Sequence, residues 1–129
     1  MTHAPLLVPV GDPAGVGPGV SITAAARAAH GDRVVLLGDA GFLARMATAR
    51  GVGTRQLADV DEARVGELGL LHVASWTDAM VDAHAPSPAG GAAQLTALDT
   101  AITQVLAGRG RAVVTGPTSK EAIVSAGHP

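Results

Sequence analysis

Apolar residues in this chain fall into short unbroken runs, set between longer segments where they recur every third or fourth position. Leu6 to Val10 is apolar throughout with no polar alternation, the pattern of a strand buried on both faces. After the loop that comes next, Pro18 suits the first turn of a helix. Val20, Ala24 and Ala28 recur there at helical spacing as its expected inner stripe, and Gly31-Asp32 stops it. The unit then repeats. "RVVLLG" reads as a second buried strand, and Asp39 is placed to cap a helix whose Phe42, Leu43, Met46 and Ala47 form one stripe ending at Gly51. Two successive strand-helix units predict an α/β fold, a parallel-rich sheet with flanking helices and right-handed crossovers.

Between positions 52 and 67 the pattern weakens and Asp59, Asp61, Glu62 and Glu67 gather, which predicts a short strand and a solvated connection. "LGLLHVAS" reads as a strand, with His72 expected as a satisfied core histidine. "TDAMVDAHAPSPAGG" reads as a long Pro/Gly-rich loop. Leu95, Leu98, Ile102 and Val105 or Leu106 then give a helical stripe that ends at Gly108-Arg109-Gly110. "RAVVTGP" is a further buried strand. Thr118 and Glu121 fit a capping box for a last helix that buries Ala122, Ile123 and Ala126 and stops at Gly127.

Two loops concentrate the candidate chemistry. The first, Gly11 to Gly19, places four glycines and two prolines in nine residues at the carboxyl end of a strand. It matches neither the G-x-G-x-x-G dinucleotide fingerprint nor the G-K-[ST] of a P-loop. Glycines there let backbone approach a ligand, and the helix beginning near Pro18 offers free N–H groups; a plain strand-to-helix turn fits the same residues. The second loop, Thr115-Gly116-Pro117-Thr118-Ser119-Lys120, gathers hydroxyls and a cation at the end of another strand. These groups suit a phosphate or carboxylate, and equally a helix cap beside a solvated lysine.

Composition removes other classes. A chain of 129 residues forms one domain, and 47% hydrophobic with 16% charged residues is a folding composition. A net charge of −2, scattered Lys and Arg and 2% aromatics exclude a nucleic-acid surface. With no cysteine there is neither a disulfide framework nor a thiolate metal site. The apolar run before Gly11 is too short for a signal segment or a membrane span, so no membrane partner and a cytoplasmic location are expected. His3, His30, His72, His84 and His128 lack H-x-x-x-H spacing, and Asp78, Asp82 and His84 read as a solvated loop cluster, so no metal site is assigned. No G-x-S-x-G supports a hydrolase triad.

Taken together, "GDPAGVGPG" resembles the G-D-P-A-G-[IV]-G-P-E pattern near the amino terminus of the PdxA family, the 4-hydroxythreonine-4-phosphate dehydrogenases and their relatives. "VVTGPTSKEAIVSAGHP" resembles that family's T-[AG]-P-[IV]-[NS]-K-E-A-[LI]-x-x-A-G-H. The resemblance implies an isocitrate/isopropylmalate dehydrogenase-like fold of two α/β domains, with the active site in a cleft at a dimer interface. It further implies oxidation of a small phosphorylated hydroxy acid, 4-phosphohydroxy-L-threonine in pyridoxal phosphate biosynthesis, using NAD or NADP and a divalent metal. By position it assigns Gly11, Asp12, Gly15 and Gly17 to the cofactor and Thr115, Thr118 and Lys120 to the substrate.

Residues 1–129 then read as the amino-terminal portion of such an enzyme, a homodimer when full-length. The family's G-H-T-E motif and metal-binding histidines would come after Pro129, so no catalytic residue or metal ligand is assigned. His128 matches the histidine of A-G-H and takes no catalytic role. Gly19 replaces the pattern's Glu, and Thr118-Ser119 stand where Ile-Asn is common. The chain alone is expected to be inactive and prone to self-association. Sister activities on phosphorylated threonate or erythronate or on a carboxylated cis-dihydrodiol, and a non-catalytic anion-binding α/β module, are the alternatives.

Overall fold

The structure, a computed structural model, describes residues 3–117 and 119–127. Its centre is a five-stranded sheet built from β1 (Leu6–Pro9), β2 (Val34–Gly38), β3 (Thr54–Leu57), β4 (Leu68–His72) and β5 (Ala112–Val113). The spatial order is β3-β4-β2-β1-β5, and every neighbouring pair is parallel. The helices are α1 (Gly17–Ala28), α2 (Ala40–Ala49), the short α3 (Asp78–Val81), α4 (Pro88–Leu106) and α5 (Lys120–Ser125).

Alternation along the central strands divides the core in two. Val8, Val34, Leu36 and Leu70 face α1 and α2, where they meet Ile22, Ala25, Leu43 and Ala47. Leu7, Val35 and Leu37 face the other side and meet Ala97 and Ala101 of α4. The helices therefore cover both faces, and each central strand reads as a continuous apolar run because neither face meets water. The α2 stripe is as expected: Leu43 and Ala47 are buried and Phe42 and Met46 half-buried. Asp39 caps that helix by accepting the Phe42 N–H at 3.0 Å. Gly51 and Gly108, with φ of 72° and 79°, take the left-handed conformation that ends α2 and α4.

Elsewhere the structure corrects the pattern. The inner face of α1 is Ser21, Ile22 and Ala25, one residue out of phase with Val20, Ala24 and Ala28, which are all exposed. In α4 the buried face is Gly90, Gly91, Ala93, Gln94, Ala97 and Ala101. Leu95 and Leu98 are only half-buried, while Ile102 and Leu106 are exposed. The reason is separation: a Cβ on Gly91 would overlap the Ala122 carbonyl, so α5 docks on α4 only over small residues.

The expected 77–91 loop holds α3, capped by Thr77, and the first turn of α4, with Ser87 as cap and Pro88 at the first position. The last strand pairs formally only over Ala112–Val113, although Val114 and Gly116 still donate to the Leu7 and Pro9 carbonyls at 2.9 and 3.2 Å. The cap of α5 is Ser119, whose hydroxyl accepts the Ala122 N–H; Thr118 lies outside the described residues.

The amino ends of the strands are tied by arginines. Arg33 donates to the Ala63 and Asp61 carbonyls, each at 2.8 Å. Arg109 pairs with Asp59 and Asp61 at 2.5 and 2.9 Å, and Arg111 pairs with Asp32. The backbone N–H of Asp61 and then the Arg109 guanidinium hold the Asp59 carboxyl below its usual range; Arg111 and then the Arg33 backbone N–H do the same for Asp32. A carboxyl depressed in the folded state contributes stability above its unfolded pKa of about 3.9 and loses it as the pH falls through the folded value. Thermal unfolding temperatures are therefore expected to drop as the pH goes below about 4, and D32N/D59N to flatten that drop, as scanning calorimetry across pH would show. The exposed Ile102 and Leu106, at 41% and 83%, give the second expectation. I102S/L106S should lower self-association in sedimentation velocity without lowering the unfolding temperature.

Candidate functional site

In a parallel sheet all carboxyl ends lie at one edge, and the chain leaves that edge in opposite directions after its two neighbouring strands β1 and β5. Residues after β1 enter α1 on one face of the sheet, whereas residues after β5 enter α5, which packs against α4 on the other. That divergence is a topological switch point, where open α/β sheets bind ligands. Both candidate loops sit there.

The structure brings the two loops into direct contact. Gly116 N–H donates to the Pro9 carbonyl at 3.2 Å, and a Cβ on Gly116 would lie 2.5 Å from Ser21 Oγ and 3.5 Å from the Gly11 nitrogen. A Cβ on Gly17 would lie 2.8 Å from the Pro117 carbonyl oxygen. Gly17 is thus required by space against the backbone of the second loop, whereas a side chain at 116 would first meet the Ser21 hydroxyl of α1. None of Gly11, Gly15, Gly17 and Gly19 has a positive φ, so conformational freedom is not what the loop uses.

Accessibility separates the expected cofactor residues. Gly11, Asp12 and Gly17 are buried, and Gly15 is exposed. Asp12 is turned inward: Oδ1 accepts the Ala14 N–H at 3.0 Å and would lie 3.2 Å from a Cβ on Gly90, in the first turn of α4. Its charge there complements the positive end of α4. Of the expected substrate residues, Thr115 and Lys120 are both exposed, and Lys120 has no ion-pair partner among the described residues. Thr118 is not among the described residues.

Gln94 is a site residue that the sequence pattern does not single out. Its side chain is buried, and Oε1 accepts the Ser119 N–H at 2.7 Å, which ties α4 to the second loop. Its Nε2 has no partner among the described residues, nor has the buried Ser21 hydroxyl that faces Gly116. A sequence signal does exist, because Gln94 shares the i, i+3, i+7 face of Ala97 and Ala101. Between α1 and the second loop lies an apolar cavity of about 190 Å³ lined by Val8, Val20, Ala24, Val114, Thr115 and Pro117.

His72 is a correction. It stands exposed at the carboxyl end of β4, with Nδ1 accepting the Ala40 N–H at 3.1 Å and Nε2 3.1 Å from Ser75 Oγ. Asp39, 3.9 Å from Nδ1, completes an Asp-His-Ser line. It is not a nucleophile triad: Nδ1 is an acceptor, so Nε2 carries the proton and cannot take one from Ser75. Asp39 spends Oδ1 on the α2 cap and Oδ2 on the Trp76 N–H at 2.7 Å. Trp76 in turn packs under Gly38 and against Phe42, with ring centroids 5.9 Å apart.

These features define a class: a doubly wound α/β protein with a parallel sheet and a candidate ligand crevice at its switch point. Within that class residues 30–129 match the family described as "Pyridoxal phosphate biosynthetic protein PdxA", and the chain belongs to that family. It is 32% identical over 133 residues to the 4-hydroxythreonine-4-phosphate dehydrogenase of Geobacter metallireducens, covering 98% of this chain and 39% of the relative. Against the enzyme of that name from Burkholderia vietnamiensis it is 37% identical over 136 residues, covering 100% of this chain and 38% of the relative.

Two solved structures are similar. The 4-hydroxythreonine-4-phosphate dehydrogenase of Burkholderia phymatum superposes with a TM-score of 0.84 at 27% identity, over 99% of this chain and 40% of that one. A terephthalate 1,2-cis-dihydrodiol dehydrogenase of Burkholderia xenovorans superposes at 0.70 with 28% identity, over 97% and 37%. The fold is accordingly the isocitrate dehydrogenase-like α/β fold of these enzymes, and the chain spans about two fifths of the relatives' length.

The residues present fit the groups implied by the family resemblance to different degrees. No three His, Asp or Glu side chains converge among the described residues, so nothing here places a metal. At Gly15 a Cβ would meet only Asp12, at 3.6 Å, so this exposed turn leaves backbone open on one side. No helix among the described residues is long and apolar enough to cross a membrane.

The loop contact is testable. G17A forces a methyl against the Pro117 carbonyl and is expected to destabilise the chain by about 1–3 kcal/mol, measured by urea denaturation. G15A, whose methyl would make only ordinary van der Waals contact with Asp12, should not lower the midpoint.

Proposed function

We propose that this chain is the amino-terminal portion of an NAD(P)- and metal-dependent dehydrogenase that oxidises 4-phosphohydroxy-L-threonine, and that it is inactive alone. The observation that carries this reading is the direct packing of the two signature loops at the switch point, Gly17 against Pro117 and Gly116 against Pro9. Bound NAD or NADP would supply the hydride acceptor, and a divalent metal would polarise the substrate hydroxyl. This chain's own part is to bind and orient. The Gly15 rim approaches the cofactor, while Gly11, Asp12 and Gly17 hold the loop in shape. Thr115, Thr118 and Lys120 receive the substrate's phosphate or carboxylate, with Lys120 as a point charge. In this reading the full-length enzyme is a cytoplasmic homodimer. The similarity to the terephthalate dihydrodiol dehydrogenase supports a second reading, a sister dehydrogenase acting on a carboxylated cis-dihydrodiol.

A chimera tests both. Residues 1–129 replace the matching region of the Burkholderia vietnamiensis enzyme, and reduced cofactor formation is followed by absorbance. The expected result is turnover of 4-phosphohydroxy-L-threonine by the chimera and none by the 129-residue chain. K120A in the chimera should raise KM about 10- to 100-fold with a smaller change in kcat. Turnover of the dihydrodiol alone selects the second reading; turnover by the isolated chain, or an unchanged KM in K120A, overturns the assignment.

A further inference from the structure

The geometry points to a second anion site, a basin between α1 and α2 in which Arg50 and Arg27 take the phosphate of a small organic phosphate ester. The basin holds about 860 Å³, is open to solvent, and is lined by Gly15, Val20, Ala24, Arg27, Met46 and Arg50 among others. It lies on the α1/α2 side of the sheet, meets the Gly15 rim at one end and shares Val20 and Ala24 with the cavity beside the second loop, while its two arginines belong to neither loop and do not rest on the dehydrogenase reading.

Four observations support it. First, charge is segregated. The chain carries −2 overall, yet α1 and α2 contain no Asp or Glu, while Arg27 lies in the last turn of α1, Arg45 in α2 and Arg50 at its C-cap. Arg45 is committed elsewhere, over the Phe42 ring at 4.6 Å. Second, Arg27 and Arg50 have no carboxylate partner among the described residues, so the basin's positive charge is uncompensated from within.

Third, the Arg50 guanidinium is held in place. Nη1 donates to the Met46 carbonyl at 3.2 Å, and Nη2 lies 2.6 Å from where a Cβ of residue 19 would be. Gly19 is thus what admits this arginine to the flank of α1, and most of its five N–H donors stay free for a bidentate anion. Fourth, the α1 N-terminus beside it has no side-chain cap and no acidic residue in its first turn, so it adds to the field. The phosphate would sit between the guanidiniums, and Val20, Ala24 and Met46 give the ester's organic part an apolar wall.

The test is an amide chemical-shift titration of the 129-residue chain at low salt, with phenyl phosphate and inorganic phosphate as probes. Phenyl phosphate should saturate shifts at Gly15, Gly19, Thr23 and Ala24. R50A and R27A should each weaken its Kd by about tenfold, and R50K should weaken it as well, because the planar fork is lost. G19E offers Arg50 an internal carboxylate and should abolish binding while preserving the fold, since the atoms that a side chain at 19 meets belong to the Arg50 side chain and not to backbone. Unsaturable shifts, shifts centred on other residues, or folded R50A and R27A variants with unchanged Kd overturn the site. Equal affinity for inorganic phosphate overturns the organic-ester assignment.

Discussion

The close approach of two loops, with the Gly17 backbone against the Pro117 carbonyl, is the constraint on which the rest of this molecule depends. β1 and β5 are neighbours in a parallel sheet, so the two segments after them must leave the same edge side by side before turning to opposite faces. There is room for that contact only if residue 17 lacks a side chain. The same contact fixes the start of α1 relative to the segment leading to α5, and with it the positions of Gly15 and Lys120 on the rim. A glycine-rich stretch that fails every standard nucleotide-loop test is therefore intelligible as a packing surface first, with ligand approach left to the single exposed glycine.

Much of the fold is legible in the sequence because the strands are buried on both faces. Unbroken apolar runs such as "VVLLG" admit few other readings once Asp39 supplies a cap and Gly51 a left-handed stop, and β2 and α2 appear as expected. The two helices whose inner faces depart from the pattern, α1 and α4, share a cause. Both are rich in alanine, so several stripes are equally apolar and periodicity alone cannot choose among them. Choosing the largest residues, Val20 or Ile102, picks the wrong side. In α4 the helix packed against sheet and α5 needs small atoms, and the sheet selects Ala93, Ala97 and Ala101. In α1 the stripe turns by one residue, so that Ser21 and Ala25 go in with Ile22 while Val20 stays out.

The site is legible to a similar depth. The positions of both loops, at strand ends and facing one edge, come from the alternation of strand and helix. Periodicity does not reveal which side chains are spent on holding the loops. Asp12, Asp39 and Gln94 each accept a backbone N–H, and two of those bonds join distant segments, Asp39 to Trp76 and Gln94 to Ser119. Such pairings belong to tertiary structure, and the sequence carries only a faint trace of them, as in the shared face of Gln94 and Ala97. His72 departs from its expected burial for a related reason. An apolar strand predicts burial for all its residues, but His72 is the last residue of β4, and there its ring lies in the open beside Ser75.

This commitment of polar groups bears on the division of labour in a dehydrogenase of this family. A general acid, a general base or a metal ligand needs a side chain whose lone pairs or protons are available to the reacting atoms. Both oxygens of Asp39 are occupied by backbone donors, Asp12 is buried against the start of α4, and His72 is oriented by Ala40. Among the described residues the exposed polar side chains of the second loop include Thr115 and Lys120, an alcohol and a cation, which the proposed reading uses to bind an anion. In the proposed reading the packed switch point makes this region a positioning part, presenting backbone and one positive charge at fixed separation. Rigidity is the useful property in that reading, because a phosphate held by Lys120 would gain orientation only to the extent that its glutamine-tethered loop does not move.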